Sequence, residues 1–85
     1  MFWNSSHQKH PIGLIAGQGD FPLLFAEAVS SLKQPLVVFG IKGIVDPRIE
    51  KFAEKTHYVE LGALGSLVDL LKETKIKKVV LAGGI

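Results

Sequence analysis

Gly17-Gln18-Gly19-Asp20 stands between an apolar pentapeptide, Ile12–Ala16, and a run with helical periodicity that opens Phe21-Pro22. Two glycines and an acid at a strand-to-helix junction are the ingredients of an anion cradle. Glycine admits positive φ and close approach to bare backbone, and the helix behind it adds unpaired N–H groups and a partial positive charge. A second small-residue loop, Gly83-Gly84-Ile85, again follows directly on an apolar run, Lys78–Ala82. Both loops have a plainer reading as turns, in which Asp20 only caps the helix.

Other chemistries leave weaker traces. A dinucleotide fingerprint would place a third glycine where Pro22 stands, and an acid for the ribose hydroxyls after the second strand. "FGIKG" (Phe39–Gly43) offers no acid there. Lys42 could accept a 2′-phosphate, so an NADP-binding half of an oxidoreductase stays open. The Walker ending is absent, which excludes a P-loop nucleotidase. His7, His10 and His57 lack metal-ligand spacing, and His57 reads as a half-exposed packing residue at a strand start. Ser66 has no nucleophile-elbow context and reads as the exposed face of a helix. Asp20, Asp46 and Glu60 do not assemble a carboxylate cluster by spacing alone. A plausible binding crevice is thus legible and a catalytic set is not, and a non-catalytic module in which the loops only make turns is a further alternative.

The elements that would carry these loops alternate. Ile12–Ala16 is a continuous apolar run expected of a strand covered on both faces. Pro22–Lys33 is expected to be helical, with Phe25, Ala28, Val29 and Leu32 inward and Glu27, Ser30, Ser31 and Gln34 outward. Pro22 suits the first turn. Pro35 stops the helix before a second strand, Leu36–Phe39. Asp46-Pro47 reads as an N-cap followed by proline at the first helical position, with Ile49, Phe52 and Ala53 as the buried stripe of a short helix. His57–Leu61 is the expected third strand. A helix from about Ala63 to Thr74 follows, with Leu64, Leu67, Val68 and Leu71 inward, and then a fourth strand at Lys78–Ala82.

Short apolar strands alternating with helices predict an α/β fold, a Rossmann-like parallel sheet of four strands joined by right-handed crossovers. The expected order is 3-2-1-4, the first half of a doubly wound sheet. Strands one and four are then neighbours, their exits diverge, and a crevice lined by both glycine loops opens at the carboxyl ends. Residues 1–11 read as an N-terminal extension and residues 12–85 as the domain.

Composition sets the outer bounds. Eighty-five residues with 47% hydrophobic and 21% charged side chains make one small globular domain, one that buries only about 60–65% of its unfolded surface. The net charge is +2 and the basic residues are scattered. "KIKK" (Lys75–Lys78) reads as a solvated turn, so no nucleic-acid footprint is expected. Without cysteine there is no disulfide or zinc–thiolate site. The N-terminus lacks a signal-peptide pattern, and no apolar run approaches the ~20 residues that span a bilayer. These features fit a cytoplasmic protein.

The stretch "GLIAGQGDFPLLFAEA" (Gly13–Ala28) closely resembles the opening of the LpxI-type UDP-2,3-diacylglucosamine pyrophosphatases of lipid A biosynthesis. The likeness continues through Asp46-Pro47, "ELGALGSLVDLLK" (Glu60–Lys72) and "LAGGI" (Leu81–Ile85), nearly everything after Pro11. Pro22, unexpected for a dinucleotide enzyme, matches this family's pattern. The resemblance implies hydrolysis of UDP-2,3-diacylglucosamine by water attacking the α-phosphorus, with a divalent metal (Mg or Mn), to give UMP and lipid X. It also implies a longer, two-domain protein of which this chain is the N-terminal, substrate-binding piece. The catalytic aspartate and metal ligands are then expected in a C-terminal domain, and the piece alone should be inactive. No catalytic residue is assigned here, and Asp20 is not put in that place.

The substrate-contacting positions it implies are Gly17, Gln18, Gly19 and Asp20 after strand one, and Gly84 and Ile85 after strand four. The N-terminal arm and Gly84 depart from the family, whose members tend to carry a larger polar residue at the latter position. The partner expected is UDP-2,3-diacylglucosamine, with peripheral contact to the inner membrane through that lipid and a homodimer both compatible with the resemblance.

Overall fold

The computed structural model describes residues 10–74 and 76–84. The extension through residue 9, with His7, lies outside these, as do Lys75 and Ile85. Four parallel strands form one sheet: β1 (Ile12–Ala16), β2 (Leu36–Ile41), β3 (Lys55–Val59) and β4 (Lys78–Ala82), in the order β3-β2-β1-β4. This is the expected α/β topology. Helix α1 (Phe21–Ser31) joins β1 to β2, a 3-10 helix (Pro47–Phe52) joins β2 to β3, and α2 (Leu64–Glu73) joins β3 to β4 after a short 3-10 turn at Leu61–Ala63.

The two faces of the sheet carry separate cores. Leu14, Ala16, Leu36, Val38 and Ala82 pack with Ala26 and Val29 of α1 and with Val45 and Ile49. On the other face Val37, Phe39, Ile41 and Val59 pack with Leu67, and Leu70 and Leu71 of α2 join them half-buried. Strand β2 is buried at all six positions because it is central and covered on both sides. No buried polar or charged residue occurs among the described residues, so the core is held by apolar burial alone.

Three boundaries differ from expectation. Strand β2 runs on through Gly40 and Ile41, because both pair with β3. Strand β3 begins at Lys55, two residues before His57, and ends at Val59. Its register is set by β2, with Val37 opposite Lys55 and Ile41 opposite Val59, and the Glu54 N–H already donates to Leu36 O at 2.9 Å. As an edge strand it buries only Val59 fully, so its composition carries little apolar signal. The segment after Asp46-Pro47 is a 3-10 helix, and its Asp46 cap is as expected: the carboxylate accepts the Arg48 N–H at 2.9 Å.

Helix α1 meets its expected face in part: Val29 is buried and Phe25 is half-buried against the core. It buries Pro22, Ala26 and Val29, whereas Ala28 is exposed and Leu32 is 72% exposed. The small side chains face the sheet, which lets the helix axis approach closely. In α2 the inward residues include Leu67 as expected; the side chains of Leu64 and Val68 lie outside the described set. Ser66 is exposed, and His57 is half-buried with its ring stacked on Phe39 at 5.3 Å. No helix among the described residues is long and apolar enough to cross a membrane.

Ile49 is fully buried and ties the 3-10 helix to the α1 side of the sheet. Ile49→Ala should lower unfolding free energy by about 2–4 kcal/mol, read from the urea midpoint at unchanged slope. A loss below about 1 kcal/mol would mean that this segment is not part of the cooperative core.

Candidate functional site

β1 and β4 are paired in register from Ile12↔Lys78 to Ala16↔Ala82, so both strands end at the same level. The Gly17 N–H extends the ladder by one bond, to Ala82 O at 2.9 Å. Then the pattern changes. Gln18 N–H donates to Gly84 O at 2.6 Å, and Gly84 N–H donates back to Gln18 O at 3.0 Å. This reciprocal pair is an isolated antiparallel bridge, so the chain has turned sharply between Ala82 and Gly84. Gly83, at φ +92°, makes that turn.

The two glycine loops therefore meet, as strand order requires. The expected divergence of their exits is not what the structure has: they are clasped together for one residue pair, and the open space lies beyond the clasp. The reason is steric. A Cβ on Gly17 would overlap Gly84 O, and one on Gly83 would stand 2.6 Å from Gln18 O and 2.8 Å from Pro22 Cγ. Both positions must be bare for the exits to touch. Pro22 thus sits against Gly83, and the close contact that a third loop glycine gives a dinucleotide fold is supplied here by the glycine that follows β4.

Gly19 and Gly84 differ from that pair. Gly19 has φ +105°, and a Cβ built on either residue meets no atom within 4 Å. Asp20 occupies the N-cap position of α1, and its carbonyl accepts the Leu24 N–H at 3.0 Å. Its exposed carboxylate makes no capping bond, so the plain reading of Asp20 as a side-chain cap is not the observed one. The first helical turn leaves the N–H groups of Asp20, Phe21 and Leu23 without intrahelical acceptors, and Pro22 has none to offer. Gln18 projects an exposed side chain beside them. Ile85 lies outside the described residues.

Sequence reasoning passed over one charged residue here. Arg48 grips Asp46 through Nε (3.2 Å to Oδ1 and 3.0 Å to Oδ2) and Nη2 (2.7 Å to Oδ2). The hydrogen bond to Asp46 raises the guanidinium's pKa, and the charge of Asp20 adds a smaller push in the same direction. Arg48 is therefore a cation within electrostatic reach of the loop acid. Its position in the 3-10 helix that follows β2, the strand beside β1, is the signal that could have found it. Lys42 also leaves the end of β2, exposed, with its N–H on Val59 O at 2.8 Å.

Among the described residues no three His, Cys, Asp or Glu side chains come together as a metal set. The divalent cation implied by the resemblance finds no ligand shell in them, and no chemical step is derived through it. His10 lies at the opposite pole, beside a surface groove of about 470 Å³ that it lines with Leu71, Lys72, Thr74, Ile76 and Lys77.

Gly83→Ala should cost about 2 kcal/mol or more, from left-handed strain and overlap with Pro22, whereas Gly84→Ala should stay within about 0.5 kcal/mol. Equal effects in thermal unfolding would contradict the clasp. Asp46 is held below its ordinary pKa of 3.8 by hydrogen bonds from the Arg48 side chain and backbone. A depressed folded pKa gives stability that is present above 3.8 and lost as pH falls through the folded value. Asp46→Asn should accordingly flatten the acid limb of the stability profile below about pH 4; an unchanged limb would show that other carboxylates set it.

Residues 11–85 match the family model described as the LpxI N-terminal domain. Among curated proteins and among solved structures nothing matches.

Proposed function

The chain belongs to the LpxI N-terminal domain family, which gives it a role in lipid A biosynthesis, and on that premise we propose that it binds the substrate of a UDP-2,3-diacylglucosamine pyrophosphatase at the clasped loops. The reaction is hydrolysis of the pyrophosphate link, with water adding to the α-phosphorus and lipid X leaving from UMP. In this reading the chain supplies part of the binding wall. The catalytic acid and the divalent cation's ligands come from outside the described residues. The reaction takes place in the cytoplasm, against the inner membrane that holds the lipid.

The observation that carries the reading is the open space above Gly19 and Gly84, two residues distant in sequence and joined by the Gln18–Gly84 bridge. A pyrophosphate is flanked by oxygens that need donors. The N–H groups of Gly17 and Gln18 are committed to the sheet and the clasp, so the donors for the anion are those of the first turn of α1, with the helix dipole behind them. Gly17 is thus a positioning residue. Gln18 contributes its side-chain amide. Pro22 and Gly83 hold this geometry without touching the ligand.

Gly84→Leu fills the open side of the clasp while leaving its backbone bonds in place. Affinity for UDP-2,3-diacylglucosamine in detergent, measured by calorimetry, should fall by at least about tenfold, with the melting temperature unchanged. Undiminished affinity would overturn the proposed site. Incubated alone with that substrate, the chain should release no UMP, and release would overturn the division of labour.

A further inference from the structure

The segment "MFWNSSHQKH" (Met1–His10) precedes the residues that match the family. Its first three residues are apolar and the other seven are polar or charged. Trp3 is the single tryptophan of the chain, and Phe2 stands next to it. Two such rings ahead of a polar spacer carry about 150–250 Å² of surface each that gains from burial.

The structure fixes where this segment joins the fold. The His10 carbonyl accepts from Gln34 Nε2 at 2.8 Å, and the Ile12 N–H donates to Pro35 O at 3.0 Å. The chain is thereby held at the start of β2 as it enters β1, and His10 forms part of the wall of the far-pole groove. Between Trp3 and His10 the backbone spans at most about 25 Å when extended, which is ample for the rings to fold back into that groove. Its volume, about 470 Å³, is that of a ligand-sized site and accommodates both.

The lining of the groove selects its occupant. Leu71 and Ile76 are half-buried, pack on the α2-side core and leave apolar surface open between the end of α2 and the start of β4. Lys72 and Lys77 line the same groove, exposed, and neither forms an ion pair among the described residues. A small anion would meet the lysines but leave Leu71 and Ile76 uncovered. It would also face the carbonyl end of α2, where the helix dipole disfavours negative charge. An aromatic ring satisfies both parts of the lining. Its body covers the aliphatic side chains and its π face attracts an ammonium group.

We propose that Trp3, with Phe2 beside it, docks in this groove, so that the N-terminal segment staples the end of α2 to the entry of β1. The staple is independent of the proposed function, whose loops lie at the other end of the sheet. It adds apolar cover to α2, of whose described side chains only Leu67 is fully buried. In a domain this small such an increment counts.

One tryptophan and no cysteine make the contact directly readable. Glu73 is exposed and lies between the lining residues Lys72 and Thr74 without lining the groove itself. A bimane label on Glu73→Cys should be quenched by Trp3 and regain its emission when Trp3→Phe is added. The same label on Lys42→Cys, about 20 Å away at the other end of β2, should not respond to Trp3→Phe. In the unlabelled chain Trp3 emission should be blue-shifted and shielded from acrylamide relative to the free peptide Met1–His10. Trp3→Ser should lower the melting temperature by about 4–8 °C. Trp3 emission like that of the free peptide, or a Glu73→Cys label indifferent to Trp3→Phe, would overturn the proposal. Quenching at Glu73→Cys that grows with protein concentration would overturn it too, by giving the groove to the N-terminal segment of a second copy.

Discussion

Two backbone hydrogen bonds between Gln18 and Gly84 decide how the carboxyl end of this sheet is built. Parallel strands normally send their exits in separate directions, and here the exits of β1 and β4 turn toward each other and pair once in the antiparallel sense. That contact demands bare backbone at Gly17 and Gly83 and a left-handed turn at Gly83. It also consumes the N–H groups that a glycine-rich loop would otherwise aim at a ligand. What remains for a ligand is the outer rim: Gly19 and Gly84, with space above them, and the first turn of α1.

The same constraint reaches into the helix. Pro22 sits against Gly83, so the first turn of α1 lies close to the sheet, and Ala26 and Val29 continue the close side. Larger side chains cannot occupy that side. Phe21, Leu24 and Leu32 are therefore displaced outward, and an exposed apolar surface beside the glycine loop is the consequence.

The sequence carries the layout of the sheet clearly and the details of its edges poorly. β1 and β4 are legible to the residue because each is an apolar run closed by glycine. β3 is not, because an edge strand such as "KTHYV" buries one residue fully and takes its register from β2. The face of α1 is only partly legible: Val29 and Phe25 pack inward as periodicity indicates, but Pro22 and Ala26 take the places expected of Ala28 and Leu32, because close packing against the sheet favours that set. The adjacency of the two loops follows from strand order alone. Their clasp does not, since backbone-to-backbone bonds leave no side-chain signature beyond the glycines they require. Arg48 was missed because nothing in its neighbours distinguishes it from a solvated surface cation until the fold brings it near Asp20.

The most direct measurement is an amide chemical-shift titration of the chain with UDP. The account predicts saturable shifts confined to the rim and the helix mouth, at Gly19, Asp20, Phe21, Leu23 and Gly84, with Lys72 and Lys77 at the far pole unmoved. Shifts centred on the far groove, or none at concentrations where the acylated substrate binds, would contradict it.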